Sequence, residues 1–207
     1  RSAAENVHAQ QSAAAEDFAR LATHRRALPA MNALSACESL ANGRGITFAG
    51  MKGIYLNKNI SRRVELGHPW IFANEVNRGK VLDAAAKPGE IVNVFTYDKK
   101  FIGRGYINPQ SQIMVRLLTR DKDELIDEGF FLNRIRKAWE YRQRIGYTEN
   151  CRLVFGEADD LPQLIIDKFN DYFVIQTLAL GIDAWKPAIV KALETIFTPR
   201  GIYERND

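Results

Sequence analysis

The stretches GRGYINPQSQIMVRLLTR, from Gly103 to Arg120, and ELGHPWIFANEV, from Glu65 to Val76, decide the fold of this chain. In the first, apolar and polar residues alternate with the period of two that is typical of short β-strands. The second places large aromatic side chains directly after His68 and Pro69. Short strands that present aromatic rings and guanidinium groups on one surface can stack bases and bind phosphates. We therefore expect a compact β-unit that binds nucleic acid.

The strand-like pattern extends over the whole segment that begins at Met51. Turn signals such as Lys87-Pro88-Gly89 separate its parts, and one or two helical turns are expected over 60–66. The segments that read as strands are GIYLNK (53–58), WIFANEV (70–76), EIVNVFTYD (90–98), FIGRGYIN (101–108) and QIMVRLLTR (112–120). Short, closely spaced strands with little helix predict a small β-barrel over residues 51–122.

A mixed α/β segment, residues 123–207, follows the predicted barrel. Asp121 or Asp123 is expected to cap a long helix that ends before Gly146. Its expected buried stripe consists of Phe131, Ile135, Ala138, Trp139 and Ile145. Strands over 151–155, 163–167 and 172–178, a helix over 183–197 and a strand over 201–205 complete the pattern. We predict an α+β chain, in which a small barrel precedes a mixed α/β domain. We expect this second domain to be incomplete, because no helix or cap follows the last strand.

Residues 1–50 differ in composition from the rest of the chain. Fourteen of them are alanine, and they show no strand-like alternation. A weak helical stripe stops at Pro29, and the well-patterned segment begins only at Met51. We therefore expect the domain-forming sequence to start at Met51, after an Ala-rich leader that is helical or disordered and not native to the domain. A transit-type leader is the alternative, although four acidic residues argue against it.

Charge is unevenly distributed along the chain. The net charge is +4, but residues 51–120 carry +7 and residues 121–207 carry −4. A basic module beside an acidic one favours a polyanion-binding domain, with an ordinary lysine-rich surface as the alternative. No apolar run approaches the roughly 18 residues of a membrane span. Cys37 and Cys151 have no CxxC spacing, so neither zinc nor a disulfide framework is expected and a cytoplasmic location is predicted.

Basic and aromatic residues of the predicted barrel are the candidate RNA contacts. The predicted RNA-binding residues are Arg62, Arg63, His68, Arg104, Tyr106 and Arg116. Arg104 and Tyr106 share one face because alternate residues of a strand point to the same side. Trp70 is expected to lie mostly in the core. His68 either contacts phosphate or orients the loop before Pro69, and the sequence leaves both roles open.

No residue set in the chain indicates catalysis or metal binding. Gly103-Arg104-Gly105 lies within a strand, so it predicts a bulge or close backbone packing rather than a phosphate loop. The carboxylates of GEADDLP (156–162) are better explained by bonds to local backbone amides than by a metal or acid–base role. Cys151 opens an apolar strand and is interpreted as a core residue rather than a nucleophile. The basic face of the long helix is either solvated or a further RNA contact.

Several motifs taken together resemble a known family. They are RRVELGHPWIF, GRGYINPQSQI, IDEGFF, RLVFGEADDLPQLIIDKF and IYERND, in this order between Met51 and Asp207. Their order and spacing resemble those of the RlmI-like rRNA (cytosine-C5) methyltransferases. The resemblance implies a PUA-type RNA-binding barrel, a mixed α/β middle domain, and then a Rossmann-like S-adenosylmethionine domain that holds the nucleophilic cysteine. Where the family usually has glycine in the 156–162 loop and directly after it, this chain has Asp160 and Gln163.

From this resemblance we expect the chain to be the RNA-recognition and linker portion of such an enzyme. Its partner would be rRNA, and S-adenosyl-L-methionine would bind the longer protein but not this chain. The longer protein would be a cytoplasmic methyltransferase, with a homodimer as a further expectation. A stand-alone PUA-type RNA-binding module without catalytic activity is the alternative, and a small acid–base enzyme centred on residues 156–162 is the third. The reading frame after Asp207 separates the first two hypotheses.

Overall fold

The structure is a computed structural model that describes residues 51–58, 62–77, 79 and 86–206. The expectations for the leader, residues 1–50, lie outside these residues. The described residues form a five-stranded sheet, a four-stranded sheet and the helices that pack on the second sheet. The predicted α+β class is confirmed. Within the described ranges, no helix is both long and apolar enough to cross a membrane.

The first sheet is curled into a small barrel. Its strands are β1 (Gly53–Tyr55), β2 (Trp70–Phe72), β3 (Ile91–Phe95), β4 (Phe101–Ile107) and β5 (Ile113–Thr119). They lie in the order β1-β3-β4-β5-β2, in which only β1 and β3 pair in parallel. An isolated bridge between Leu56 and Val76 joins the two outer edges, so the predicted barrel closes.

One strand and one helix of the barrel are shorter than the sequence pattern predicted. The strand expected over 70–76 ends at Phe72 and continues as a 3-10 helix, Ala73–Glu75. The reason is local, because the carboxylate of Glu75 accepts a 2.7 Å hydrogen bond from the backbone N–H of Phe72 and so bends the chain. Within the described residues, the helix expected over 60–66 is the single turn α1 (Arg62–Glu65).

Helices pack on the four-stranded second sheet. Its strands are β6 (Asn150–Phe155), β7 (Leu164–Phe169), β8 (Tyr172–Thr177) and β9 (Gly201–Glu204), in this order across the sheet. The helices are α2 (Glu128–Arg144), α3 (Leu180–Asp183) and α4 (Lys186–Phe197). Apolar side chains from α2, α4 and the sheet share one core, which includes Phe131, Leu153 and Ile189.

The first residue of α2 differs from the prediction, whereas its last turn agrees with it. The N-cap of α2 is Asp127, whose carboxylate accepts a 2.9 Å hydrogen bond from the N–H of Phe130, rather than Asp121 or Asp123. The C-terminal end agrees with the prediction, since Gly146 follows it with a φ of +93°. Ile145, expected in the buried stripe, is 51% exposed because it lies beyond the last helical turn.

The barrel and the second sheet share a hydrophobic core. Three barrel residues, Ile91, Tyr106 and Leu118, are buried together with the residues of α2, α4 and the second sheet. A separate cluster that includes Ile54, Val92 and Val115 fills the barrel itself. One face of the barrel sheet therefore packs on the second part of the chain. The domain boundary at residue 122 falls in the connection between β5 and α2, and it stays a proposal.

Candidate nucleic-acid interface

One row of side chains crosses four strands of the barrel. The register pairs Ile91 with Tyr106, Tyr106 with Arg116, and Arg116 with Trp70. Directly paired residues of neighbouring strands point to the same side of a sheet. Since Ile91 and Tyr106 are buried in the second core, this side faces the second sheet and its helices. We call this contact the domain seam; it is formed by Trp70, Tyr106, Arg116, Glu157, Pro162 and Gly181.

Tyr106 lies inside the domain seam. Its side chain is 2% exposed, and its hydroxyl donates a 3.0 Å hydrogen bond to the carbonyl of Pro162. The ring packs on the backbone of Gly181, where a Cβ atom would come within 2.1 Å of the ring. Burial raises the pKa of the Tyr106 hydroxyl, which is therefore neutral. The prediction that Tyr106 offers a stacking face to RNA is wrong, because its ring fills the seam.

Arg104 is also buried, two residues earlier on β4. Its Nε donates a 2.9 Å hydrogen bond to Oδ1 of Asn93, and its two terminal nitrogens donate to the carbonyls of Lys122 and Glu124. These carbonyls belong to the connection between β5 and α2. The predicted phosphate contact is wrong, because the guanidinium is fully buried and holds this connection. Arg104 and Tyr106 were predicted to point to the same side of β4. This agrees with the structure, in which both side chains contact residues that follow β5.

The glycines on either side of Arg104 allow close backbone packing. A Cβ atom at Gly105 would lie 1.9 Å from the carbonyl oxygen of Arg116, and one at Gly103 would lie 2.7 Å from that of Thr119. The register shifts between Arg104 and Gly105, which is the predicted irregularity. The motif lies inside β4 and opens no helix, so it does not fit a nucleotide cofactor. Among the described residues, no glycine-rich loop joins a strand to a helix in the manner that S-adenosylmethionine binding requires.

Trp70 and Arg116 lie at the edge of the domain seam. The indole Nε1 of Trp70 donates a 2.8 Å hydrogen bond to Oε1 of Glu157. Trp70 is half-buried and belongs to neither of the two hydrophobic clusters of the described residues, so it lies at the edge of the core rather than mostly inside it, as had been expected. Arg116 is half-buried, and its Nη1 reaches the carbonyl of Ile113 at 3.4 Å. Its Nε is buried without a hydrogen-bond partner. Arg116 therefore lies half-buried between Trp70 and Tyr106 in this row, and its contact with phosphate stays a prediction.

The remaining predicted cations gather around α1. We call this group the α1 corner; it consists of Arg62, Arg63, His68 and Arg120. Arg62 is exposed, whereas Nη2 of Arg63 forms a 2.5 Å ion pair with Glu75. Nη2 of Arg120 donates 3.0 Å hydrogen bonds to the carbonyls of Val64 and His68. The fold thus brings together cations that lie more than fifty positions apart in the chain.

His68 has a defined structural role in the α1 corner. Its Nδ1 accepts a 3.2 Å hydrogen bond from the N–H of Trp70 and lies 3.0 Å from Nη1 of Arg63. The rings of His68 and Trp70 meet edge to face at 5.3 Å. The loop-orienting role is therefore visible, and a contact between His68 and phosphate stays a prediction. The sequence analysis missed Arg120 as a member of this corner, although its place at the end of an arginine-bearing strand was a signal.

The carboxylates of the 156–162 loop bind neighbouring groups of the protein. Asp159 forms two hydrogen bonds with Arg142, at 2.7 and 3.0 Å, and accepts the N–H of Phe155 at 2.7 Å. Asp160 pairs with Arg134 at 2.8 Å. The predicted bond to a local amide is confirmed for Asp159. Over the described part of the chain, no group of three or more His, Cys, Asp or Glu side chains could hold a metal ion.

Cys151 is a half-buried residue at the edge of the second core. Burial raises the pKa of its thiol, while the charges of Lys168 and Arg142 act in the opposite direction. A raised pKa leaves less thiolate at neutral pH, and the thiolate is the reactive form. This geometry agrees with the interpretation of Cys151 as a packing residue.

Comparison with known proteins identifies relatives for both parts of the chain. Residues 54–120 match the profile of the PUA-like domain family. Proteins named ribosomal RNA large subunit methyltransferase I from Aliivibrio fischeri and Salmonella arizonae are 39% and 34% identical to this chain. The matches cover 74% and 78% of this chain, but 39% and 40% of the relatives. The chain therefore spans about two fifths of the length of these relatives.

Solved structures share the fold of the described part. A protein from Streptococcus mutans classed as a SAM-dependent methyltransferase superposes with a TM-score of 0.63 at 14% identity, over 75% of this chain and 41% of its own. A methyltransferase-class protein solved as a complex with SAH gives the same TM-score and identity over 75% of this chain and 40% of its own. The resemblance stated from the motifs is thereby confirmed: this chain carries a PUA-like domain and is related, over about three quarters of its length, to ribosomal RNA large subunit methyltransferase I.

Proposed function

We propose that this chain is the RNA-recognition and linker portion of an S-adenosylmethionine-dependent large-subunit rRNA methyltransferase, and that the modified atom is C5 of a cytosine. The relatives' name supports the substrate class, and the PUA-like domain supports RNA recognition. In this proposal residues 51–122 bind RNA and residues 123–207 connect them to a catalytic domain elsewhere in the longer protein. Cofactor and catalytic nucleophile belong to that domain. A cytoplasmic location and a homodimer remain predictions.

The observation that carries the RNA-binding part is the α1 corner. It presents exposed Arg62 beside Arg63 and Arg120. The guanidinium groups of Arg63 and Arg120 are oriented by hydrogen bonds to backbone carbonyls. Oriented guanidinium groups bind phosphate oxygens well, because less side-chain freedom is lost on binding. Phosphate contacts of this kind position RNA without reading its sequence. Arg104 and Tyr106 are not part of this surface.

RNA binding by the chain tests this proposal directly. We expect fluorescence anisotropy to show that the chain binds a labelled fragment of large-subunit rRNA, with affinity that falls as salt rises. Arg62→Ala should weaken binding to unrelated sequences alike and flatten the plot of log K against log salt by about 0.7. Lys87→Ala is the matched control. Lys87 is an exposed cation near the C-terminal end of β4, whereas Arg120 of the α1 corner lies near the N-terminal end of that strand. Salt-independent binding, or equal effects of both changes, would contradict the proposal.

The chemistry requires a test in the organism. We expect that disruption of the gene removes one 5-methylcytosine from large-subunit rRNA, as mapped by bisulfite sequencing, and that the intact gene restores it. An unchanged methylation map would refute the assignment to cytosine C5. Calorimetry with S-adenosylmethionine should show no tight binding to this chain, and micromolar affinity would refute the division of roles between the domains.

A further inference from the structure

A groove runs between the C-terminal half of α2, the strand β6 and the turn that follows β6. Its volume is about 590 Å³, and it lies on the second part of the chain, next to the turn that carries Glu157 of the domain seam. Three aromatic rings in its wall are half-exposed: Tyr141 at 48%, Tyr147 at 50% and Phe155 at 53%. About half of the surface of each of these residues is accessible, and an accessible part of an aromatic ring can stack with another planar group.

The lining of the groove is basic although the last third of the chain has net negative charge. Five cations and two carboxylates line it. Three of the five cations are paired with carboxylates: Arg142 with Asp159, Arg134 with Asp160, and Arg152 with Asp167 on the neighbouring strand β7. Among the described residues, no carboxylate forms an ion pair with the two remaining cations of α2, which are Lys137 and Arg144. The groove therefore attracts anions.

Cations and rings alternate within this groove. The guanidinium carbon of Arg144 lies 5.9 Å from the ring centre of Tyr141, and that of Arg142 lies 5.3 Å from the same centre. On the opposite wall, Arg152 lies 5.3 Å from the ring centre of Phe155. Stacking rings beside cations are the two elements that single-stranded nucleic acids require, since every base has a π-face and every nucleotide has a phosphate.

We propose that this groove binds a single-stranded segment of RNA, with bases stacked on Tyr141 and Tyr147 and phosphates bound by Lys137 and Arg144. The inference rests on the proposed function and adds a second contact surface to it. The turn after β6 connects the two surfaces, because Glu157 binds Trp70 next to the α1 corner while Asp159 lines the groove. An RNA strand that meets both surfaces would cross the edge of the domain seam.

Crosslinking and substitution in the full chain test this groove. Single-stranded RNA that contains 4-thiouridine, irradiated and digested, should leave crosslinks on peptides that contain Tyr141 or Tyr147. The double variant Tyr141→Ala with Tyr147→Ala should lower affinity by roughly tenfold or more, since stacking contributes about 1–3 kcal/mol per base. The conservative change Tyr141→Phe keeps the ring and should retain affinity. An RNA duplex should compete less well than the single strand, because its bases are already stacked.

Charge changes on one helix provide the matched control. Arg144→Ala should weaken binding and flatten the salt dependence, whereas Arg136→Ala, on the same helix but outside the groove, should not. If Arg62→Ala weakens binding but the groove variants bind like the native chain, the inference is overturned and the proposed function stands. If neither set weakens binding, both fail. Crosslinks confined to residues 62–68 would also overturn the inference and leave the groove to a protein partner.

Discussion

Replacing Arg104 with methionine separates a structural guanidinium from an RNA contact. The change keeps a long stem but removes the hydrogen bonds to Asn93 and to the carbonyls of Lys122 and Glu124. Asn93 is 2% exposed, so its Oδ1 is left buried without a donor. Such a group costs about 1–3 kcal/mol, and each lost bond to a charged group about 1.5–3 kcal/mol. Two effects offset part of this loss: water can reach the carbonyl of exposed Lys122, and removing the guanidinium removes the cost of burying a charge, which lowers the pKa of Arg104.

We therefore expect Arg104→Met to lower the free energy of unfolding by about 3–5 kcal/mol. Urea unfolding followed by circular dichroism measures this change. RNA affinity, measured by anisotropy at a temperature at which the variant is folded, should equal that of the native chain. The matched control is Arg62→Met, which changes an exposed cation of the same length. It should alter stability by less than about 0.5 kcal/mol but weaken RNA binding.

The opposite pattern would refute the reasoning. Arg104→Met could unfold at the same midpoint urea concentration as the native chain and bind RNA as weakly as Arg62→Met. In that case the guanidinium of Arg104 faces RNA and its buried position is wrong. A variant that is destabilised and also binds weakly when fully folded would indicate that the connection held by Arg104 orients the RNA-binding surface.

Three further changes test the packing and electrostatics. Gly181→Ala should lower stability by about 1–3 kcal/mol or more, because its methyl group would come within 2.1 Å of the Tyr106 ring; a native thermal midpoint would contradict this contact. Gln163→Gly should raise the free energy of unfolding, measured in urea, by up to about 1 kcal/mol. The reason is that Gln163 has a left-handed φ of +62°, which glycine adopts without strain. An unchanged or lower free energy of unfolding would contradict this prediction. Burial by itself would raise the pKa of Asp183, but the hydrogen bond from Lys186 lowers it below its ordinary value of 3.8. The carboxylate therefore stabilises the fold fully above that value, and this contribution disappears as pH falls through the lowered pKa. Asp183→Asn should flatten the acid side of the stability profile, and an acid side identical to that of the native chain would rule out this role.

Local patterns in the sequence predicted most elements of this fold, but not the short helix α3 or the 3-10 helix Ala73–Glu75. Strands β3, β4 and β5 lie within the segments predicted for them, because the alternation of apolar and polar residues and the turn signals between strands are local properties. Gly103 and Gly105 also correctly predicted close backbone packing between β4 and β5. The left-handed backbone of Asp160 and Gln163 occurs at the two positions at which the resemblance indicated glycine.

Boundaries were less predictable where several residues could serve the same purpose. Asp121, Asp123 and Asp127 all precede α2, and each could cap a helix. The choice of Asp127 depends on the connection after β5, which is held by Arg104 through backbone carbonyls. The sequence shows the candidates for a cap, but the path of the chain selects one.

The identity of the covered face was decided by tertiary structure alone. Alternation along β4 correctly placed Arg104 and Tyr106 on one side, but it carries no information about what lies against that side. Tyr106 binds the carbonyl of Pro162, 56 positions later, and Trp70 binds Glu157, 87 positions later. A strand's period is set by its own backbone geometry, whereas burial depends on surfaces supplied by distant segments. The sequence by itself therefore determined the strands, the barrel and the family resemblance, and the packing of the second part of the chain on the barrel decided which of the predicted contact residues remain exposed.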